Sequence, residues 1–145
     1  MNTMLTHTEI AETAIEAYKA ACFRVLSEDG FILRLGEINQ QLVRLFAKDQ
    51  VESAAFITAY NPFSQPTTEH ENAAAQAEME AEIESLNLSF YPGQGEDPTG
   101  QWAGEASALV MGIGLEQAKM LGVKYQQNAI VWIGRDAKPQ LLLLR

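Results

Sequence analysis

Apolar positions along the chain change period several times, and each change marks an element. Residues 6–19 show helical spacing, with Ala11, Ile15, Tyr18 and Cys22 on one stripe, and Thr6 followed by Glu9 supplies a capping box. Phe23-Arg24-Val25-Leu26 and Phe31-Ile32-Leu33-Arg34-Leu35 flank Ser27-Glu28-Asp29-Gly30. Asp-Gly between two apolar runs is a hairpin signal. Helical spacing returns over 37–48, where Ile38, Leu42, Leu45 and Phe46 share a face. Ala54–Tyr60 is almost wholly apolar, as expected of a strand buried on both faces. It stops at Asn61-Pro62, because proline cannot donate to a ladder and restricts the residue before it.

Residues 68–86 predict the longest helix. Thr68 and Glu71 form a second capping box, Glu69 and Glu71 suit the positive end of the helix dipole, and Asn72, Ala75, Met79, Ile83 and Leu86 fall on one stripe. Leu88–Tyr91 predicts a short strand, Pro92 to Gly100 a glycine-rich loop, Ala106–Met111 a strand, and 114–121 a helix closed by Gly122. Asn128–Ile133 and Leu141–Leu144 predict two strands joined by Gly134 to Pro139. The order is α-β-β-α-β-α-β-β-α-β-β. It implies the α/β (α+β) class, with a single mixed β-sheet and helices packed on it. The length of 145 residues fits one domain over 1–145, in which the helix at about 6–19 precedes the rest.

Composition agrees with a globular chain: 47% of residues are hydrophobic and 20% charged. The net charge of −9 argues against nucleic-acid binding, which draws its affinity from phosphate neutralisation by Lys and Arg. Between Lys48 and Lys119 there is no Lys or Arg, and twelve acidic residues occur. Either this is a solvated acidic face or it docks a basic protein partner; acids alternating with alanines favour the first. A lone cysteine, Cys22, excludes an internal disulfide and a multi-cysteine zinc site, and its apolar neighbours suggest an inert buried thiol. His7 and His70 fall at no metal-ligand spacing, so no metal is expected, and no cofactor is implied. The first residues lack a secretory pattern and no apolar run approaches the ~20 residues of a membrane span, so a cytoplasmic chain without membrane contact is expected.

Four segments could carry chemistry. Thr58-Ala59-Tyr60-Asn61 ends a buried strand, and ligands of open α/β sheets bind at the carboxyl edge. Asn61 could equally satisfy the backbone of its own turn. Asn72 sits on the apolar stripe of its helix, so its amide faces the sheet. It either pins the 61–67 loop or faces the pocket that Asn61 faces. Glu105 enters an apolar strand three residues after Trp102, with no Lys or Arg nearby in sequence. It could accept backbone hydrogen bonds from the glycine loop, or act as an acid/base group with Asp97 as partner. Gln127 and Asn128 lead into an apolar strand, where amides recognise polar ligands or tie a sheet edge to a loop. The glycine loop lacks the Gly-Lys-Ser/Thr ending of a phosphate loop and the alternating acids of a calcium loop.

Together, Ala55-Phe56-Ile57-Thr58-Ala59-Tyr60-Asn61-Pro62, Glu71-Asn72, the Gly95–Glu105 loop with Trp102, and Gln127-Asn128-Ala129-Ile130-Val131 resemble a bacterial family of uncharacterised proteins, the domain of unknown function 3293. The resemblance spans about 18–145. It implies that Thr58, Asn61, Asn72, Glu105, Gln127 and Asn128 belong to one site, and it supplies no reaction. The function expected is a binding or interaction module for a small polar ligand or a protein, its pocket lined by Thr58, Asn61, Asn72, Gln127 and Asn128, with Trp102 and Tyr60 as stacking faces. The alternatives are a hydrolase or lyase using Glu105, and a structural protein without ligand.

Overall fold

The computed structural model describes residues 8–145, and over them the elements follow the expected order. Helix α1 (Glu12–Ala20) leads into the hairpin of β1 (Cys22–Val25) and β2 (Phe31–Leu33). Then come α2 (Gln40–Asp49), β3 (Ala54–Thr58), α3 (Glu69–Ser85), β4 (Ser89–Glu96), β5 (Glu105–Met111), α4 (Leu115–Lys124), β6 (Ala129–Ile133) and β7 (Pro139–Leu143). The strands form one sheet in the order β2-β1-β4-β5-β3-β6-β7.

Every pairing in that sheet is antiparallel, where a mixture of strand directions was expected. The alternation of strands and helices does produce parallel crossovers. Helix α3 connects β3 to β4, and α4 connects β5 to β6, each time between strands of the same direction. Both crossovers are split: β5 fills the slot between β3 and β4, and β3 fills the slot between β5 and β6. Parallel neighbours never touch.

The sheet curls so that the segment after β2 meets β7. Gly36 N donates to Pro139 O at 2.8 Å and Asn39 N to Ala137 O at 3.1 Å. Strand alternation then gives the sheet an inner and an outer face. On the inner face Phe23, Leu33, Phe56, Leu109 and Ile133 pack with Leu42 and Phe46 of α2. On the outer face Ala55, Ile57, Val110 and Ile130 pack under Met79 and Ile83 of α3 and Leu121 of α4.

Several boundaries differ from expectation for identifiable reasons. Helix α1 begins at Glu12, has no side-chain cap at Ala11 and buries no residue, so its expected stripe is not a core face. The Thr6–Glu9 capping box lies outside the described residues. Helix α2 starts only at Gln40, because Asn39 Oδ1 accepts from Leu42 N at 2.9 Å and leaves Ile38 before the helix, 56% exposed. Thr68 caps α3 as expected, with its hydroxyl accepting from Glu71 N at 3.1 Å. Leu86, placed on the buried stripe, is exposed. Cys22 lies in β1 and is only partly buried.

Strand β4 is the largest departure. It runs on through Pro92 and Gly95 to Glu96, where a loop was expected. Pro92 sits where its neighbour β1 gives out: Leu26 N donates to Pro92 O, and no ladder bond is required of the proline nitrogen. Gly93 lies under the Phe56 ring. A Cβ there would stand 2.6 Å from Phe56 Cε2 and 2.9 Å from Arg24 O. The glycine that weakens the strand locally is what lets the inner face close over it.

Candidate functional site

Antiparallel pairing on both sides of β3 means that β5 and β6 begin at the end of the sheet where β3 stops. The register pairs Thr58 with Ser107 and Phe56 with Val131. Residues 58–61, 105–107 and 127–129 therefore meet at one end. The carboxyl edge of a parallel sheet, from which Asn61 was reasoned towards a ligand, is replaced by this junction.

At that end the inner face leaves a cavity of about 380 Å³. Phe23, Phe56, Val131 and Leu141 give it apolar walls, α1 contributes Ala14, Ala17 and Tyr18, and Ala21 follows just after the helix. The alanine stripe of α1, left without a core to pack on, covers this space. Thr58, Asn61, Trp102, Glu105, Gln127 and Asn128 all line the cavity, with Tyr60, Ser64 and Ser107 among them. Asn72 and Asp97 do not.

Hydrogen bonds around Asn61 form a chain in which each orientation dictates the next. Glu105 Oε2 accepts from Asn61 Nδ2 at 2.7 Å, which fixes the amide nitrogen towards the carboxylate. Asn61 Oδ1 is then turned to accept from Thr67 N at 3.2 Å and from Asn72 Nδ2 at 2.9 Å. The Asn72 oxygen consequently faces Asn61 N and accepts from it at 2.8 Å. Asn72 is only 4% exposed, so its end of both bonds is shielded from solvent. Asn61 thus satisfies its own turn and also reaches Glu105. Asn72 pins the 61–67 loop from behind the cavity wall.

This loop is held in sparsely populated backbone conformations. Asn61, Phe63 and Ser64 have φ of 48°, 54° and 61°. Such residues cost on the order of 1–3 kcal/mol each and persist where surrounding bonds over-determine them. Here those bonds are Phe63 N to Gln126 O at 2.6 Å, Ser64 N to Asn61 O at 2.7 Å, and the paired amides.

Gln127 and Asn128 are buried, and their amides are also engaged by the chain. Gln127 Nε2 donates to Tyr60 O and Tyr125 O, both at 3.1 Å, and ties the start of β6 to the end of β3. Asn128 Nδ2 donates to the Tyr18 hydroxyl at 2.9 Å and to Ser64 Oγ at 3.2 Å, while its oxygen accepts from Arg145 at 3.0 Å. The Tyr18 and Ser64 hydroxyls also bond to each other, fastening α1 to the loop. Thr58 Oγ1 donates to Ala106 O and accepts from Tyr60 N.

Glu105 is different. Burial pushes its carboxyl above the usual carboxylate range, and the bond from Asn61 offsets this only in part. Asp97, its expected partner, turns into its own loop. It accepts from Thr99 N, Thr99 Oγ1 and Gln101 N, and the Thr99 hydroxyl is the main cause of its lowered pKa. The Tyr60 hydroxyl donates to Glu69 at 2.7 Å, and that bond, followed by burial, raises it to about 12. Among the described residues no three His, Cys, Asp or Glu side chains are grouped as a metal ion needs, and no helix is long and apolar enough to cross a membrane.

Sequence reasoning missed Gln76, Tyr18 and Ser64. Gln76 is buried and accepts from Ala59 N at 3.0 Å, next to the Asn61–Asn72 pair. Its signal was its spacing, four residues after Asn72 on the face that carries Met79 and Ile83. Tyr18 and Ser64 carry no local signal, because their role comes from the seating of α1 on the loop.

A family model described as a protein of unknown function (DUF3293) matches residues 57–130, just over half of the chain and a narrower span than 18–145. The match begins in β3 and ends in β6, so it takes in Thr58, Asn61, Asn72, Trp102, Glu105, Gln127 and Asn128. No curated protein and no solved structure matches the chain.

Proposed function

The chain belongs to the DUF3293 family, and because that membership brings no activity with it, we propose from the site geometry that the protein binds a small, partly apolar molecule in the cavity beneath α1. One observation carries this reading: the cavity stands at the junction of β3, β5 and β6, on the inner face that is otherwise filled by α2. Its volume of about 380 Å³ lies within the range of small-molecule sites. The amides build the wall, since their donors and acceptors are largely spent on the chain itself. The ligand meets apolar side chains, hydroxyls and Glu105.

Titration with benzyl alcohol, a neutral aromatic probe, tests this. Amide NMR signals of Thr58, Ser107 and Ala129 are expected to shift together and saturate. Shifts confined to the outer face, or no saturable shift at these positions with either this probe or benzylamine, refute the binding reading.

The raised carboxyl of Glu105 supports a second reading, acid/base catalysis by a hydrolase or lyase. In that case Glu105→Gln abolishes turnover of a substrate that the variant still binds. Unchanged turnover removes Glu105 from the chemistry.

A further inference from the structure

The following inference rests on the binding reading above and specifies the ligand. We propose that the cavity takes an organic cation, a primary ammonium group on an apolar or aromatic body, with its nitrogen on the Glu105 carboxylate. Among the described residues that line the cavity, Glu105 is the one charged side chain, and no Lys, Arg or His joins it there. It accepts one side-chain hydrogen bond among the described residues, from Asn61 to Oε2. An ionised carboxylate has about four acceptor sites, so capacity for further donors is left on the cavity side.

Two basic side chains carried next to lining residues, Arg24 beside Phe23 and Arg145 on Asn128, are committed elsewhere. Arg24 pairs with Glu96 at 3.0 Å, and both alternate onto the face of the sheet opposite Phe23 and Gly95. Arg145 donates to Asn128 and lies over the Phe63 ring at 4.3 Å. Among the described residues, the cavity is thus a largely apolar space with one negative charge and no internal counter-ion.

Its aromatic content points the same way. Tyr18, Phe23, Phe56, Tyr60 and Trp102 all contribute to the lining. Aromatic faces attract cations, and they accept the hydrocarbon body of an amine at no polar cost. An anion would be repelled by Glu105 without compensation. A neutral alcohol would gain the apolar contact and leave the carboxylate short of a charged donor.

Benzylamine and benzyl alcohol have nearly the same shape and differ in charge at neutral pH, so their affinity ratio isolates the proposed pair. Benzylamine is expected to bind the wild-type chain about tenfold more tightly, as one charge-assisted hydrogen bond supplies. In Glu105→Gln the two probes are expected to fall within about twofold of each other. Benzylamine should also lower the titration midpoint of Glu105, followed by its carboxyl ¹³C shift in the wild-type chain. This measurement decides the matter if the variant does not fold. Equal affinities in wild type, a preference that survives Glu105→Gln, or an unmoved Glu105 midpoint overturns the cation assignment. Benzyl alcohol binding at the cavity then leaves the broader reading standing. Failure of both probes to bind there overturns both.

Discussion

Substitution of Asn72 separates the two halves of the amide pair that holds the 61–67 loop. Asn72→Ala deletes the acceptor of Asn61 N at 2.8 Å and the donor to Asn61 Oδ1 at 2.9 Å. Asn61 N is left without a partner, while Asn61 Oδ1 keeps Thr67 N, and one buried polar group so orphaned costs about 1–3 kcal/mol, the loss expected here. For a chain of this size that lowers Tm by on the order of 10 °C. Asn72→Asp is the more discriminating change. It keeps an oxygen for Asn61 N and replaces the donor by a second oxygen facing Asn61 Oδ1. The carboxyl can restore that bond only when protonated, so its pKa in the folded chain is raised above the unfolded value of about 3.9. The sign follows from proton binding. Below the unfolded pKa both states are protonated and the variant approaches wild-type stability. As pH rises the unfolded chain ionises first, and stability is lost until pH passes the folded pKa. Urea denaturation of wild type and both variants from pH 3 to 7 measures this. A pH-independent difference between Asn72→Asp and wild type refutes the assigned orientations, and a loss below about 0.5 kcal/mol for Asn72→Ala refutes the pinning role.

Two further changes probe the frame of the site. Gly93→Ala is expected to cost about 2–3 kcal/mol by chemical denaturation, because its Cβ meets Arg24 O at 2.9 Å and Phe56 Cε2 at 2.6 Å. Gly95→Ala, whose Cβ has nothing nearer than Glu105 O at 4.0 Å, should fold normally and weaken benzyl alcohol binding by narrowing the cavity; equal stability losses for the two contradict the packing assigned to β4. Glu82 bonds Lys124 Nζ at 2.7 Å and the Tyr125 hydroxyl at 2.8 Å, which together hold its carboxyl below the usual range. Lys124 is largely exposed, so Glu82→Gln should cost less than about 1 kcal/mol at pH 7. That difference should vanish as pH falls through the depressed pKa, and a difference persisting in acid contradicts the ion-pair origin.

The order of elements was legible because local pattern survives in sequence: Asp-Gly between two apolar runs at Phe23 to Leu35, a nearly unbroken apolar run at Ala54 to Tyr60, and Thr68 at a helix start. Strand direction was not legible. It depends on which strand occupies the slot beneath each crossover, and that is a long-range choice. The second half of β4 was hidden because glycine and proline at 92–95 read locally as a turn, while their fitness for a strand comes from the Phe56 ring and the end of β1. Spacing showed that Asn61, Glu105, Gln127 and Asn128 each stand at the end of an apolar strand. It could not show that their amides bond to the chain itself. The orientation of Asp97 follows from Thr99 and Gln101 closing its own loop, a contest between local and distant partners that sequence leaves open.

The place of β3 in the sheet has a kinetic consequence. Hairpins β1–β2, β4–β5 and β6–β7 pair strands that follow one another along the chain. Strand β3 pairs with β5 and β6 across longer separations, and in the strand order it stands between the block β2-β1-β4-β5 and the block β6-β7 and pairs with both. Such non-local pairings carry the greater loop-closure cost and tend to form after the hairpins. The cavity takes walls from both blocks, so a chain whose β3 is still unpaired has no site. Benzyl alcohol is therefore expected to slow unfolding while leaving the refolding rate unchanged, the pattern of an interaction absent from the transition state. A probe that accelerated refolding in stopped-flow experiments would place the insertion of β3 before the rate-limiting step instead.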